Sequence, residues 1–175
     1  MSVAAELLRR AIAAADAAGS VLLEDRPATL QVSAKSTAVD AVTEMDRRSE
    51  ELLIAMLLAE GPNDAVLGEE GGSRSGTSGV RWIVDPLDGT VNYIYDLPEW
   101  SVSIAAAVEG EVVAGVVLAP RLGWLWTATR GGGAQRAQWP ATGTSTAITA
   151  GRETRLAHAL VGTGFGYDAD RRRQQ

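Results

Sequence analysis

Apolar residues recur at helical spacing from residue 3 to residue 23, with Glu6, Arg9, Arg10 and Asp16 between them, so an amphipathic helix opens the chain. The segment from Leu30 to Thr43 is β-branched with turn residues in its middle and reads as a hairpin. A second helix is expected from Glu44 to Ala59, with Thr43 or Asp46 near its start and Gly61-Pro62 stopping it. The pattern then changes to short apolar runs. Ala65 to Gly68, Val80 to Val84, Ser101 to Val108, Glu111 to Ala119 and Leu122 to Thr129 read as strands, with turns at Glu109-Gly110 and Pro120-Arg121. Their short connections indicate antiparallel neighbours. The Ser/Gly-rich stretch 73–79 reads as a mobile loop, and residues 131–146 as a polar, glycine-bearing loop. A short helix or turn is expected near Arg152 to His158, then a last strand from Ala159 to Gly164.

Two helices on a mainly antiparallel sheet make a layered α+β fold, and with no internal repeat residues 1–175 read as a single domain. Tyr167 to Arg173 begins like a helix with an acidic first turn, yet Gln175 follows before such a helix could bury a face. The sequence therefore reads as interrupted.

Composition narrows the chemistry. At 175 residues and 46% apolar content the chain can bury a sizeable core. It has no cysteine, so any metal must be held by oxygen or by the lone His158, which favours magnesium, manganese or calcium. A net charge of -6 argues against a nucleic-acid surface, and the Arg171-Arg172-Arg173 run reads as a solvated face. No signal peptide opens the chain and no apolar run approaches the roughly 20 residues a bilayer needs. A cytoplasmic enzyme or binding protein is expected, with neither nucleic acid nor membrane as partner.

The stretch 81-RWIVDPLDGTVNY-93 carries the chemistry. Trp82-Ile83-Val84 reads as a buried strand and Pro86 to Gly89 as a sharp exit from it, which sets Asp85 and Asp88 close together at a strand end. Like charges side by side cost free energy unless cations or donors compensate. Glu69 ends the preceding strand, and if the two strands are neighbours three carboxylates converge. Carboxylates with the Leu87 carbonyl suit a hard cation, Gly89 lets backbone approach a ligand, and Thr90 can cap a short helix whose amides would face an anion. Two metals roughly 4 Å apart would support in-line displacement at a phosphate monoester.

Gly68-Glu69-Glu70, followed by Trp82 to Tyr93, resembles the inositol monophosphatase family of magnesium-dependent, lithium-sensitive phosphatases. Leu97-Pro98, Ser101 to Ile104, Gly115-Val116-Val117 and Gly131 to Ala134 are similar to that family too. The resemblance implies the N-terminal part of an inositol monophosphatase-like sandwich. It implies that Glu69, Asp85 and the Leu87 carbonyl hold a first Mg2+, and Asp85 with Asp88 a second. It implies that Thr90 joins Glu69 in orienting the attacking water, with Gly89 and Thr90 amides on the phosphate. Lys35 and Asp46 match family positions near the site, and each also reads plainly, as a hairpin lysine and a helix-start cap.

Inositol 1-phosphate is the first substrate implied, a small phosphorylated alcohol; histidinol phosphate, other sugar phosphates and phosphoadenosine phosphate are hydrolysed by relatives. Relatives are commonly homodimers, which leaves a homodimer open. The family's Trp-Asp-x-Ala-Ala-Gly block, whose aspartate completes the second metal, does not occur here, and Asp168 and Asp170 stand in a different context. The competing reading is a catalytically incomplete fragment that binds metal or phosphate only. A haloacid dehalogenase would need Asp-x-Asp rather than Asp-x-x-Asp, and an EF-hand loop is absent. His158 reads as structural or exposed, Trp82, Trp124 and Trp126 as packing residues, and Tyr95 and Trp100 as packing residues or lining for the site mouth.

Overall fold

The computed structural model describes residues 2–34, 41–140 and 143–162. Helix α1 (Val3–Glu24) starts at Ser2, whose hydroxyl accepts from the Ala5 N–H, and its buried stripe is almost all alanine. Small side chains let α1 lie close to the sheet; a Cβ on Gly19 would stand 2.6 Å from Leu118 Cδ2. Strands β1 (Val32–Ala34) and β2 (Ala41–Thr43) pair antiparallel, the expected hairpin. Helix α2 (Glu44–Glu60) begins in a capping box, Thr43 taking the Met45 and Asp46 N–H groups while the Asp46 carboxylate takes the Thr43 N–H.

The remaining strands form one sheet in sequence order: β3 (Ala65–Leu67), β4 (Val80–Asp88), β5 (Ser101–Val108), β6 (Glu111–Ala119), β7 (Trp124–Thr129), β8 (Gly133–Gln138) and β9 (Ser145–Ile148). Helix α3 (Thr90–Ile94) links β4 to β5, and a 3-10 turn at Pro120–Leu122 precedes β7. All neighbours are antiparallel except β3 and β4, which run parallel and set Leu67 beside Ile83. Both long helices pack on one face, α1 over β5, β6 and β7 and α2 over β4. Trp82, Val84, Val102, Ile104, Val116 and Leu118 point to that face and meet Leu7, Leu22, Leu53 and Leu57 in one core. This is the expected layered α+β fold.

Several elements differ from the sequence reading. β4 does not stop at Val84 but continues to Asp88, because Pro86 and Leu87 stay buried and pairing with β5 resumes at Asp88–Ser101. Residues 73–79 are not a loose loop: the Thr77 and Ser78 N–H groups both donate to the Asn63 carbonyl, and Arg74 pairs with Val66 through two backbone bonds. The polar stretch 131–146 contains β8 and β9, whose small and polar residues suit the solvated margin of a sheet. Ala159 to Gly162 is irregular rather than a strand. Arg152 to His158 supplies only a 3-10 turn, Leu156–His158, with His158 Nδ1 3.7 Å from Glu153. Residues 163–175, including Asp168, Asp170 and the arginine run, lie outside the described residues, as does Lys35.

Candidate active site

The site is built from one polar face of α2. Leu53 and Leu57 continue a buried stripe that at its N-terminal end carries Asp46, Ser49 and Glu50 instead of apolar residues. Buried polar groups are costly unless paired, and each of these three holds a piece of the motif. Asp46 Oδ1 accepts the Thr90 hydroxyl at 2.8 Å. The Ser49 hydroxyl donates to the Pro86 carbonyl at 2.9 Å. The Glu50 carboxylate accepts the Glu70 and Gly72 N–H groups at 2.8 and 2.9 Å and so shapes the turn that presents Glu69. Gly68 leaves room beside it, since a Cβ there would fall 2.2 Å from Glu50 Oε1 and the carboxylate would have to move off the Glu70 and Gly72 amides. Glu50 escaped the sequence reading, although a glutamate one and two helical turns before Leu53 and Leu57 was the available signal. Glu50→Ala should leave two amides unpaired and cost about 2–3 kcal/mol, read from urea unfolding, with the loss of protection in hydrogen exchange concentrated at residues 69–72.

Asp85 and Asp88 reach one face by a bulge. Three residues apart, they would point to opposite sides of a regular strand. Here Asp85 pairs with Ser103 and Asp88 with Ser101, so three steps on β4 match two on β5, and both aspartates return to the face away from the helices. The Leu87 N–H donates to Asp85 Oδ1 at 3.2 Å, which fixes the bend. Gly89 follows at φ 89, its backbone so near the next segment that a Cβ would lie 2.8 Å from the Glu99 carbonyl. Gly89→Ala should therefore cost about 1–2 kcal/mol in thermal unfolding, from the left-handed backbone and the displaced Glu99 carbonyl together.

Thr90 does not cap α3: Gly89 occupies the N-cap position, and the Thr90 hydroxyl turns back to Asp46 and the Leu87 carbonyl, at 2.8 and 3.0 Å. Tyr93 anchors the short helix, its hydroxyl donating to the Leu22 carbonyl at 2.7 Å and its ring meeting Trp100 edge-on. Trp100 is thus a packing residue, whereas Tyr95 is exposed.

The parallel pairing of β3 with β4 brings Glu69 to Asp85. Asp85 is pushed up to about 7, first by burial, then by its hydrogen bond with Glu69 and by the charges of Glu69 and Asp88, against the Leu87 N–H. A cation would offset the charge that the buried Asp85 carboxyl carries once it ionises beside Glu69 and Asp88. This donor set fits a hard divalent ion: two carboxyls in contact, a third charge on the same face, and the Leu87 carbonyl beside them. The expected convergence is met for two acids only, since Asp88 is exposed and no group of three His, Cys, Asp or Glu side chains among the described residues is disposed to hold an ion.

The acidic groups thus stand at a bulged strand end, backed by a polar helix face. Residues 4–175 match the inositol monophosphatase family, and the chain belongs to that family. It is similar to the inositol-1-monophosphatase of Rhizobium meliloti (strain 1021), 40% identical over 136 residues, 77% of this chain and 48% of that protein. It is 37% identical over 166 residues to a Nus factor SuhB of Pseudomonas aeruginosa, which covers 92% of this chain and 58% of that protein. The solved structure of Mycobacterium tuberculosis SuhB superposes with a TM-score of 0.74 at 30% identity, over 97% of this chain and 62% of that chain. The chain spans about half the length of the curated relatives it matches. Among the described residues no helix is long and apolar enough to cross a membrane.

Proposed function

We propose that the chain hydrolyses a small phosphate monoester with Mg2+, inositol 1-phosphate first among the candidates. The observation that carries this reading is the contact of the half-buried Asp85 carboxyl with Glu69, brought together by the parallel β3–β4 pairing just before the Gly89 turn. Glu69, Asp85 and the Leu87 carbonyl would hold one ion and Asp85 with Asp88 another. Bound there, the ions would supply the positive charge that makes water a nucleophile and offsets charge on the phosphate. The chain's own groups do the rest. Because the Thr90 hydroxyl donates to Asp46, it offers a lone pair to a water, and Glu69 can take the proton that water sheds as its oxygen bonds to phosphorus. The Gly89 and Thr90 amides would face the phosphate oxygens as the ester P–O bond breaks.

Relatives named as inositol-1-monophosphatases support the substrate, which is tested by comparing phosphate release from inositol 1-phosphate, histidinol phosphate and phosphoadenosine phosphate. Preference for either of the latter two would replace inositol 1-phosphate. A second reading, metal or phosphate binding without turnover, is favoured by the outlying position of Asp88. Magnesium binding by the chain with no phosphate release from any of the three would select it.

A further inference from the structure

Helix α3 has too little of its own to hold its place. Its 5 residues make little more than one turn, with the Tyr93 N–H donating to the Gly89 carbonyl at 3.0 Å and the Tyr95 N–H to that of Val91 at 3.1 Å. A helix so short does not persist in water by itself, so its placement comes from the side chains around it. Thr90, Asn92 and Tyr93 tie it to Asp46, the Glu99 carbonyl and the Leu22 carbonyl.

Its carbonyl end is held by Arg26, in the link that follows α1. The guanidinium donates to the Tyr93 carbonyl at 3.1 Å, reaches that of Ile94 at 3.5 Å and lies over the Tyr93 ring at 5.2 Å. A cation suits this end of a helix. The chain then turns at Asp96, whose carboxylate stands 4.0 Å from Arg26 and accepts from Arg121 at 2.8 Å.

Two local costs meet here. Asp96 holds φ 59, in the left-handed region that side chains avoid. Arg26 Nε is buried, and among the described residues it has no hydrogen-bond partner. Unfavourable backbone and unpaired donors persist where their surroundings fix them, and they gather at functional sites. Gly89 and Thr90 stand at the other end of the same helix, roughly 7 Å away along its axis.

We propose that Arg26 is a positioning residue for the reaction: by fixing the carbonyl end of α3 it sets where the opposite end places the Gly89-Thr90 turn and the Thr90 hydroxyl. The proposal rests on the reading of that turn as the phosphate and water end of the site. Arg26 acts through α3, whose carbonyls and ring it holds, and not on the phosphate. Because Tyr93 stays anchored to Leu22 and Trp100, removing the guanidinium loosens the helix without unseating it.

The test separates placement from chemistry. Arg26→Met keeps an apolar stem and removes the donors, whereas Arg26→Lys keeps a cation without the fork. Amide hydrogen exchange of the native chain and both variants is followed by NMR in EDTA, with no substrate present. The Tyr93 amide, which closes on Gly89, should exchange about tenfold faster in Arg26→Met, while the Ile104 and Val116 amides of the sheet keep their rates. Arg26→Lys should recover most of that protection. With magnesium and inositol 1-phosphate, kcat should fall about tenfold in Arg26→Met at a KM within about twofold, and return to within about threefold of the native value in Arg26→Lys. An unchanged Tyr93 amide, faster exchange throughout the sheet, or a lysine variant no better than the methionine one would overturn the assignment, as would a rise in KM at unchanged kcat. A native chain that releases no phosphate refutes the hydrolysis reading, and the exchange rates then decide whether Arg26 places the turn.

Discussion

Asp64→Ala is expected to remove about 3–5 kcal/mol of stability, as much as truncating a large core side chain. Asp64 is 4% exposed and sits between the two helices and β4. Its carboxylate takes the Arg10 guanidinium at 2.9 Å, the Trp82 indole N–H at 3.0 Å and the Ser78 hydroxyl at 2.7 Å. Arg10 also lies over the Trp82 ring at 4.9 Å. Truncating the acid strands a buried guanidinium and a buried indole N–H at once, and only the guanidinium keeps another acceptor, the Leu57 carbonyl. For a domain whose total stability is about 5–15 kcal/mol, that is about a fifth or more. Urea unfolding at neutral pH measures it, with Asp64→Asn as the milder comparison because it keeps one acceptor oxygen. A loss under about 1 kcal/mol would mean that the cluster is solvated in solution.

The second large effect concerns Asp85 and has opposite signs in stability and activity. Below about pH 4 the carboxyl is protonated in both folded and unfolded chains. Between about 4 and 7 the unfolded chain has released that proton while the folded chain keeps it, so each rise in pH favours unfolding. Above about 7 the difference levels off. Without metal, the native chain should therefore lose stability across that window. Asp85→Asn, which cannot ionise, should show a flatter profile and be the more stable of the two at pH 8. Magnesium should restore the native chain at pH 8 and leave the variant unchanged, while turnover by the variant falls at least about a hundredfold. Urea unfolding across pH, with EDTA or magnesium, separates these effects; identical profiles for the two chains would contradict the raised Asp85 carboxyl.

Much of this was legible in the sequence because periodicity and turn chemistry agree locally. The two helices, the hairpin and the strands at 101–108 and 111–119 follow from apolar spacing and from Glu109-Gly110. What was not legible depends on partners distant in the chain. β8 and β9 carry too few apolar residues to announce themselves and exist because β7 offers an edge to pair with. The three-residue spacing of the aspartates gives no hint that a bulge aligns them. The polar face of α2 was half visible: Asp46 reads as a cap, which it is, yet its second oxygen holds Thr90 across 44 positions. Asp64 and Glu50 look like ordinary solvated acids until the fold buries them.

The central claim is that Glu69, Asp85 and the Gly89-Thr90 turn carry phosphoester hydrolysis. Its most direct measurement is inorganic phosphate release from inositol 1-phosphate by the purified 175-residue chain, with and without magnesium, beside Asp85→Asn. Release that requires magnesium and disappears in the variant is the predicted result. Release that persists in EDTA, or survives in Asp85→Asn, would contradict the account.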